Sequence, residues 1–260
     1  MRAINTRINE SVPAGAQSKP RFERKFFILP KHIGFAYATL RQVCRADSEY
    51  PEGQVNSLYF DTPDLEQYIR SASGDFRKEK VRIRWYGQPG SHQEEVSVFL
   101  ELKSRQGFAS SKQRCRLAVS AQHLELAHLG AGIIDKTTLV TTLAEFGHFP
   151  SNPLQPIIMI CYQRYRFNEM LTGTRVSFDH NIVSSVVAPG LGYRERELRL
   201  EGGVIEVKGP TLELPVTLRR IRVLDADWSR FSKYGQCIES HLSQPGSVAR
   251  VWPSGRVAGP

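Results

Sequence analysis

Cysteine is scarce in this sequence and carries no motif. Cys44, Cys115, Cys161 and Cys237 are widely spaced and form no Cys-x-x-Cys pair. That removes the usual signals for a structural zinc site or a dithiol redox centre and suits buried free thiols in a reducing compartment. Long apolar runs are missing too: nothing approaches the ~20 consecutive apolar residues that a spanning helix needs. The opening stretch MRAINTRINESVPAGAQSKP has no apolar centre, so it does not read as a secretory signal. There is no internal repeat and no strong internal linker. We therefore expect a soluble, cytoplasmic chain with one domain over residues 20–243, a flexible polar leader over 1–19 and a flexible Pro/Gly/Ser-rich tail over 244–260. Acidic residues are the minority charge. Asp and Glu number 26 against 35 Lys and Arg, a net charge of +9, which favours an anionic partner: nucleic acid, phosphorylated metabolite, polyphosphate or acidic membrane surface.

What the sequence does have is alternation. In VRIRWYG (81–87) the apolar Val81, Ile83 and Trp85 alternate with Arg82 and Arg84, the mark of a strand with one buried face. The pattern recurs in RFERKFFIL (21–29), VNSLYFD (55–61), VSVFLELKSR (96–105), SKQRCRLAV (111–119), QPIIMICYQRYRFN (155–168), TRVSFDHNI (174–182) and GVIEVKGP (203–210). Helical spacing is confined to short stretches. These are 31–44 behind Pro30, 62–71 with Thr62 as N-cap and Pro63 at its first position, a broken run over 120–147, a start near Pro215, and CIESHLS after FSKYG (231–235). The class is α+β and mainly antiparallel β, or barrel-like all-β.

Period two also decides which charges share a face. Arg21, Glu23 and Lys25 do so, as do Arg82 and Arg84, then Glu101, Lys103 and Arg105, then Lys112, Arg114 and Arg116. Tyr162, Arg164 and Arg166 form a further set; Arg175, Ser177 and Asp179 another; Glu206 and Lys208 the last. For one strand, a solvated face explains this. Repetition across many strands argues for a shared anion, because like charges held side by side cost stability. A sheet curled with its charges inward would present them to one ligand, with the helices at 31–44, 62–71 and 120–147 covering its apolar outside. Glu23, Glu101 and Glu206 each stand two residues before a lysine. Each is either the partner of a neighbouring cation or a ligand for Mg²⁺ or Mn²⁺ shared with phosphate oxygens. Trp85, Phe99 and Phe178 fall on the apolar faces, with Tyr162 the exception, so the interleaved stacking aromatics of a nucleic-acid binder are wanting. His180 reads as a surface or hairpin residue, and no His–Asp pair suggests itself as a general base.

RFERKFFI, VNSLYFDTPDLEQY, KVRIRWYG, FLELKSR with SKQRCRL, YQRYRF, RVSFD, VIEVKG and FSKYG, in this order, resemble the VTC (vacuolar transporter chaperone) domain. That domain is the polyphosphate polymerase branch of the triphosphate tunnel metalloenzymes. The resemblance implies an eight-stranded β-barrel tunnel with a charged interior, flanked by helices. It implies a metal-dependent enzyme that moves the γ-phosphate of ATP onto a growing polyphosphate chain. An inorganic triphosphatase on the same fold, or a non-catalytic binder of polyphosphate or nucleotide, are the alternatives. Carried over by motif, Arg82, Arg84, Lys103, Arg164, Arg175 and Lys208 would be catalytic. Lys25, Lys112, Arg114, Tyr162, Ser232 and Lys233 would bind phosphate. Glu206 would hold Mn²⁺ or Mg²⁺, with Glu101 and Glu23 weaker metal candidates. One departure stands out. The hydrolytic relatives open on Glu-x-Glu-x-Lys, whereas here Arg21 takes the first acidic position before Glu23 and Lys25. The eukaryotic polymerases also carry an SPX domain and membrane helices, for which this chain is too short, so it is not expected to move polymer across a membrane by itself, and a membrane-protein partner is an open expectation.

Overall fold

The structure is a computed structural model that describes residues 22–89, 94–107, 109–189, 191, 197–211, 213–224 and 231–243. The expected leader and tail, and Arg21, lie outside the described residues. The chain begins with β1 (Phe22–Ile28), a 3-10 turn over Pro30–His32 and α1 (Ile33–Val43). Next come β2 (Cys44–Ala46), β3 (Glu52–Asp61), α2 (Glu66–Ala72), β4 (Arg77–Tyr86), β5 (Glu95–Gln106) and β6 (Ala109–Ser120). A 3-10 turn over Ala121–Leu124, α3 (Leu126–Leu129) and α4 (Lys136–Glu145) lead into β7 (Gln155–Glu169), β8 (Arg175–Val186) and β9 (Glu197–Gly209). A 3-10 segment over Val216–Leu224 and α5 (Lys233–Leu242) follow.

Among the described residues these strands form one nine-stranded antiparallel sheet in the order β1-β9-β8-β7-β3-β4-β5-β6, with the short β2 added beside β7. The main path holds the strands the alternation predicts; β2 is the addition, too short to show a period. β1 and β6 are the two ends of the path, and no ladder joins them among the described residues. The sheet nevertheless curls far enough for Lys103 on β5 to reach Glu23 on β1, Nζ to Oε2 3.1 Å. A register shift on the β3/β7 ladder, between Tyr59 and Phe60, and one on each ladder of β8 accompany the bend. The β7/β8 register shifts between Cys161 and Gln163, and the β8/β9 register shifts between His180 and Ile182. Asn181 and Gly202 flank the β8/β9 shift with positive φ, 49° and 100°. Bulges of this kind sharpen local twist and re-aim a strand.

The outer face of the sheet is apolar. Val81, Ile83, Trp85, Leu100 and Leu117 pack with Leu129 of α3 and Leu139 and Leu143 of α4. Phe26, Phe178, Ile205 and Val207 pack with Ala36 and Leu40 of α1 and with Leu218, Ile221 and Leu224 of the second 3-10 segment. The third cluster departs from the sequence expectation. Tyr234, Cys237, Ile238 and Leu242 form a stripe at helical spacing on α5, and it packs on Val55, Tyr59, Ile158, Ile160 and Tyr162. Tyr59 and Tyr162 lie on the inward face that also carries Arg82 and Arg84. So α5 fills the part of the bore whose lining is apolar, and Leu65, just before α2, and Tyr68 of α2 join it there rather than covering the outside.

Three local expectations shift. The helix expected over 62–71 begins at Glu66, because Leu65 takes a left-handed φ of 59° and Thr62 becomes a turn residue. Thr62 still caps, its Oγ1 accepting from the Glu66 N–H at 3.0 Å. The segment after Pro215 is 3-10 rather than α, and the last helix starts at Lys233, where Ser232 Oγ accepts from the Gly235 N–H at 3.2 Å. His180 lies within β8, stacked on Tyr165 at 5.0 Å, and not in a hairpin. All four cysteines are free: Cys44 and Cys237 are buried, Cys115 and Cys161 half-buried.

Gly202 is the position at which the bend is most exposed to substitution. A Cβ there would lie 2.5 Å from the Ile28 carbonyl oxygen and 2.7 Å from Phe27 Cζ, at a φ that L-residues avoid. Gly202→Ala is expected to cost about 2 kcal/mol of stability, read as a lowered urea midpoint with an unchanged slope. Gly173→Ala, with φ +66° but open space around it, should cost distinctly less.

Candidate functional site: a cation-lined bore

Three carboxylate stations organise the inward face. On β5, Glu101 is fully buried. It accepts from Arg82 of β4, Nε at 2.9 Å and Nη2 at 2.7 Å, and pairs with Lys112 of β6. Burial alone would raise its pKa; Arg82, Arg84 and Lys112 overcome that and hold it at about 2. On β8, Asp179 is equally buried. Arg164 of β7 grips it with both arms of the guanidinium, Nε–Oδ1 2.6 Å and Nη2–Oδ2 2.7 Å, and Lys233 of α5 reaches Oδ2 at 2.6 Å. Against the same burial penalty, Arg164 and Lys233 bring it to about 2. At the third station Glu23 of β1 meets Lys25 at 3.2 Å and Lys103 at 3.1 Å. Glu206 of β9 meets Lys208 at 2.6 Å. Lys25 and Glu206 are direct register partners.

The other expected residues fall around these stations. Arg84 is nearly buried and donates to Ser57 Oγ at 3.1 Å and to the Tyr162 hydroxyl at 3.2 Å. Tyr162 offers its ring to Arg164 and Lys233, 5.4 and 4.9 Å from the centroid. Arg175 and Lys208 are exposed register neighbours at one end of the bore. Arg114 is exposed, opposite Glu101, with its guanidinium 3.5 Å from the Phe99 ring centroid. That contact corrects the sequence assignment of Phe99 to the apolar face. Strict alternation puts it with Glu101 and Lys103, while Val98 and Leu100 take the core.

The sequence reading missed two inward groups. Lys80 precedes Arg82 by two residues, and its Nζ donates to Ser232 Oγ at 2.8 Å. Burial first, then Lys25, Lys103, Lys78 and Arg82, push its pKa down to about 7. Lys112 is lowered to about 8, by burial first, with Arg82 and Arg84 adding to it against Glu101. The second missed residue is Tyr59, whose hydroxyl accepts from Arg82 Nη1 at 3.0 Å.

A divalent cation fits one part of this set. Among the described residues no three of His, Cys, Asp and Glu gather as a metal cage. Glu23 and Glu206 lie close enough for each carboxylate to feel the other, with Lys25, Lys103 and Lys208 around them. One or two hard oxygen ligands suffice for Mg²⁺ when phosphate oxygens and water complete the shell. Glu206 and Glu23 are therefore the residues that would hold such an ion. Glu101, enclosed by Arg82 and Lys112, is the more deeply buried carboxylate and stands apart from this pair.

The curled antiparallel sheet gathers its cations on one inner wall. The VTC domain matches residues 20–242, and the chain belongs to that family, with which a polyphosphate- or triphosphate-related function goes. No curated protein matches it. Similar solved structures include a proposed adenylate cyclase from Bacillus halodurans, 18% identical over 82% of this chain and 94% of that one, TM-score 0.47. Another is a proposed adenylyl cyclase from Hippeastrum with a dominant triphosphatase activity, 16% identical over 85% and 95%, TM-score 0.42. A third is a proposed adenylate cyclase from Vibrio parahaemolyticus, 13% identical over 86% and 99%, TM-score 0.39. No helix among the described residues is long and apolar enough to cross a membrane.

Asp179 tests the stations. Asp179→Asn leaves Arg164 and Lys233 facing a neutral amide, an expected loss of about 3 kcal/mol in urea unfolding. In the native protein the stabilisation from Glu101 and Asp179 is complete above the ordinary carboxylate range. It is lost as pH falls from there through about 2, so Asp179→Asn should flatten the acid limb of the stability–pH curve.

Lys80 tests the electrostatics of the bore. Its folded pKa lies below the unfolded value, so the free protein sheds this proton above about 7, and a bound polyanion favours its return. Titrating tripolyphosphate at about pH 8 in buffers of different ionisation enthalpy should reveal proton uptake, small at about pH 6 and reduced throughout by Lys80→Met. Uptake that Lys80→Met leaves unchanged would remove Lys80 from the anion's surroundings.

Proposed function

We propose that the chain is a metal-dependent polyphosphate polymerase that transfers the γ-phosphate of ATP to the end of a polyphosphate chain within the bore. The observation that carries this reading is the convergence of Arg82, Lys103, Lys112, Arg164 and Lys233 on one inward face through the buried Glu101 and Asp179 and the half-buried Glu23. Phosphoryl transfer asks little covalent work of a protein; it asks for alignment and for charge placed where the transition state develops it. Arg82 and Arg164 present planar forks whose orientation Glu101 and Asp179 fix in advance. Arg84, held by Ser57 and Tyr162, adds a third. A phosphate acceptor is already an oxyanion at neutral pH, so no strong general base is required. Lys25, Lys103 and Lys208 would neutralise charge on the incoming phosphates, with Arg175 and Lys208 marking the exposed end of the wall. A divalent cation held by Glu206 and Glu23 would supply Lewis-acid stabilisation of the phosphoryl oxygens.

Incubation with ATP and Mn²⁺ or Mg²⁺ should yield ADP and a ladder of polyphosphate on a stained gel. Phosphate release from tripolyphosphate without polymer would make the protein a triphosphatase, and tight polyphosphate binding without turnover would make it a binder. Glu206→Ala should abolish metal-dependent turnover while leaving anion binding largely intact. Arg82→Ala with Arg84→Ala should weaken tripolyphosphate binding about 100-fold, the loss expected for two charge-assisted contacts; equal affinity would sink the assignment of the bore.

A further inference from the structure

β1 carries a residue that its own alternation does not explain. Glu23 and Lys25 face the bore, while Phe26 and Ile28 face the outer core. Arg24 falls on the outer side with Phe26 and Ile28, and it is only 6% exposed. Above it runs the 3-10 segment Val216–Leu224, which buries Leu218, Ile221 and Leu224 and leaves Arg219 and Arg222 exposed. Arg24, Arg219 and Arg222 line one cavity of about 360 Å³, together with Glu213 and Leu214. Arg24 Nη2 donates to the backbone carbonyl of Glu213, which ties the guanidinium to the chain just before the 3-10 segment. Burial, and next the neighbouring Arg222, lower the Arg24 pKa, while Glu213 opposes them.

Among the described residues, three guanidiniums and one carboxylate surround this pocket, a set suited to a phosphoryl group. Arginine binds phosphate oxygens in pairs through its planar fork. Leu214 adds one apolar wall and Arg24 a positioned, buried arm. The pocket lies on the opposite face of β1 from the bore, so it stands independently of the polymerase reading. We propose that Arg24, Arg219 and Arg222 form a second anion site, outside the bore, that binds a phosphomonoester or pyrophosphoryl group. Its ligand is either a free phosphate compound or a phosphate headgroup in a membrane, to which the exposed Val216 and Val223 would add apolar contact.

The test compares the full chain with Arg219→Gln/Arg222→Gln. Both side chains are exposed, so the variant should fold, as circular dichroism will verify. Calorimetry with inorganic pyrophosphate is expected to show two classes of site in the parent and only the bore's class in the variant, with polymerase or triphosphatase turnover unchanged. The affinity of the outer class should fall at least about tenfold, and Arg219→Lys/Arg222→Lys should fall in between. Sedimentation with phosphatidylcholine vesicles containing phosphatidic acid distinguishes the source. Capture of the parent but not the variant, without an outer pyrophosphate site, identifies a lipid headgroup; an outer pyrophosphate site identifies a free phosphate compound. If pyrophosphate titrations and vesicle capture are the same for parent and variant, the outer site does not exist. Because turnover is read separately, failure of the bore reading would leave this result standing, and the reverse.

Discussion

Cations cannot be gathered inside a fold unless something of opposite charge is built in with them, and here the built-in groups are Glu101, Asp179 and the Glu23–Glu206 pair. A buried ion left alone costs several kcal/mol, so each carboxylate fixes where its cations stand. The pairs also reach between elements. Glu101 on β5 takes a cation from β4 and one from β6. Asp179 on β8 takes one from β7 and one from α5. Glu23 on β1 takes Lys103 from β5 across the seam where the sheet path ends. The contacts that shape the bore are thus the contacts that orient its charges, and the cations still outnumber the carboxylates.

The position of α5 follows from the same economy. A bore lined by charge throughout would need water or anion along its whole length, but the stretch near Val55, Ile158 and Ile160 is apolar and is filled by the α5 stripe. Asp61 anchors that filling. It accepts from the backbone N–H groups of Thr62, Gln67 and Tyr68 and from the Tyr234 hydroxyl at 2.6 Å. Seating the helix there brings Lys233, its first residue, to Asp179. Packing at one end of the bore thereby sets a charge in its middle.

Strand identity and face membership were legible in the sequence, because period two is a local property. Glu101 with Lys103, and Arg82 with Arg84, could be grouped without coordinates, and Lys80 could have been added by running the same alternation back through KEKVRIR. Phe99 was misplaced by its hydrophobicity, although its parity with Glu101 was readable. The rest was not local. That Lys233 would meet Asp179 depends on where α5 docks, and the α5 stripe tells that the helix has an apolar side, not that this side faces inward. The bend goes with irregularities such as that of Asn181 against Gly202, on two strands that are neighbours only after folding.

The choice between lysine and arginine follows from the one difference that matters under confinement: lysine can give up its proton and arginine cannot. Lys80, bonded to a serine hydroxyl rather than to a carboxylate, is the cation whose pKa falls to about 7. Arg82 and Arg164, without that escape, each have a carboxylate in bidentate or near-bidentate contact. Arg84 has two hydroxyls. The bore thus limits its own repulsion at the lysines and keeps a fixed framework at the arginines, and an arriving polyanion would meet geometry already set and protons able to return. Among the described residues, Arg24, Arg219 and Arg222 share their cavity with one carboxylate and no lysine, so proton loss gives no relief there. An anion bound in that pocket would add to the balance that Glu213 begins.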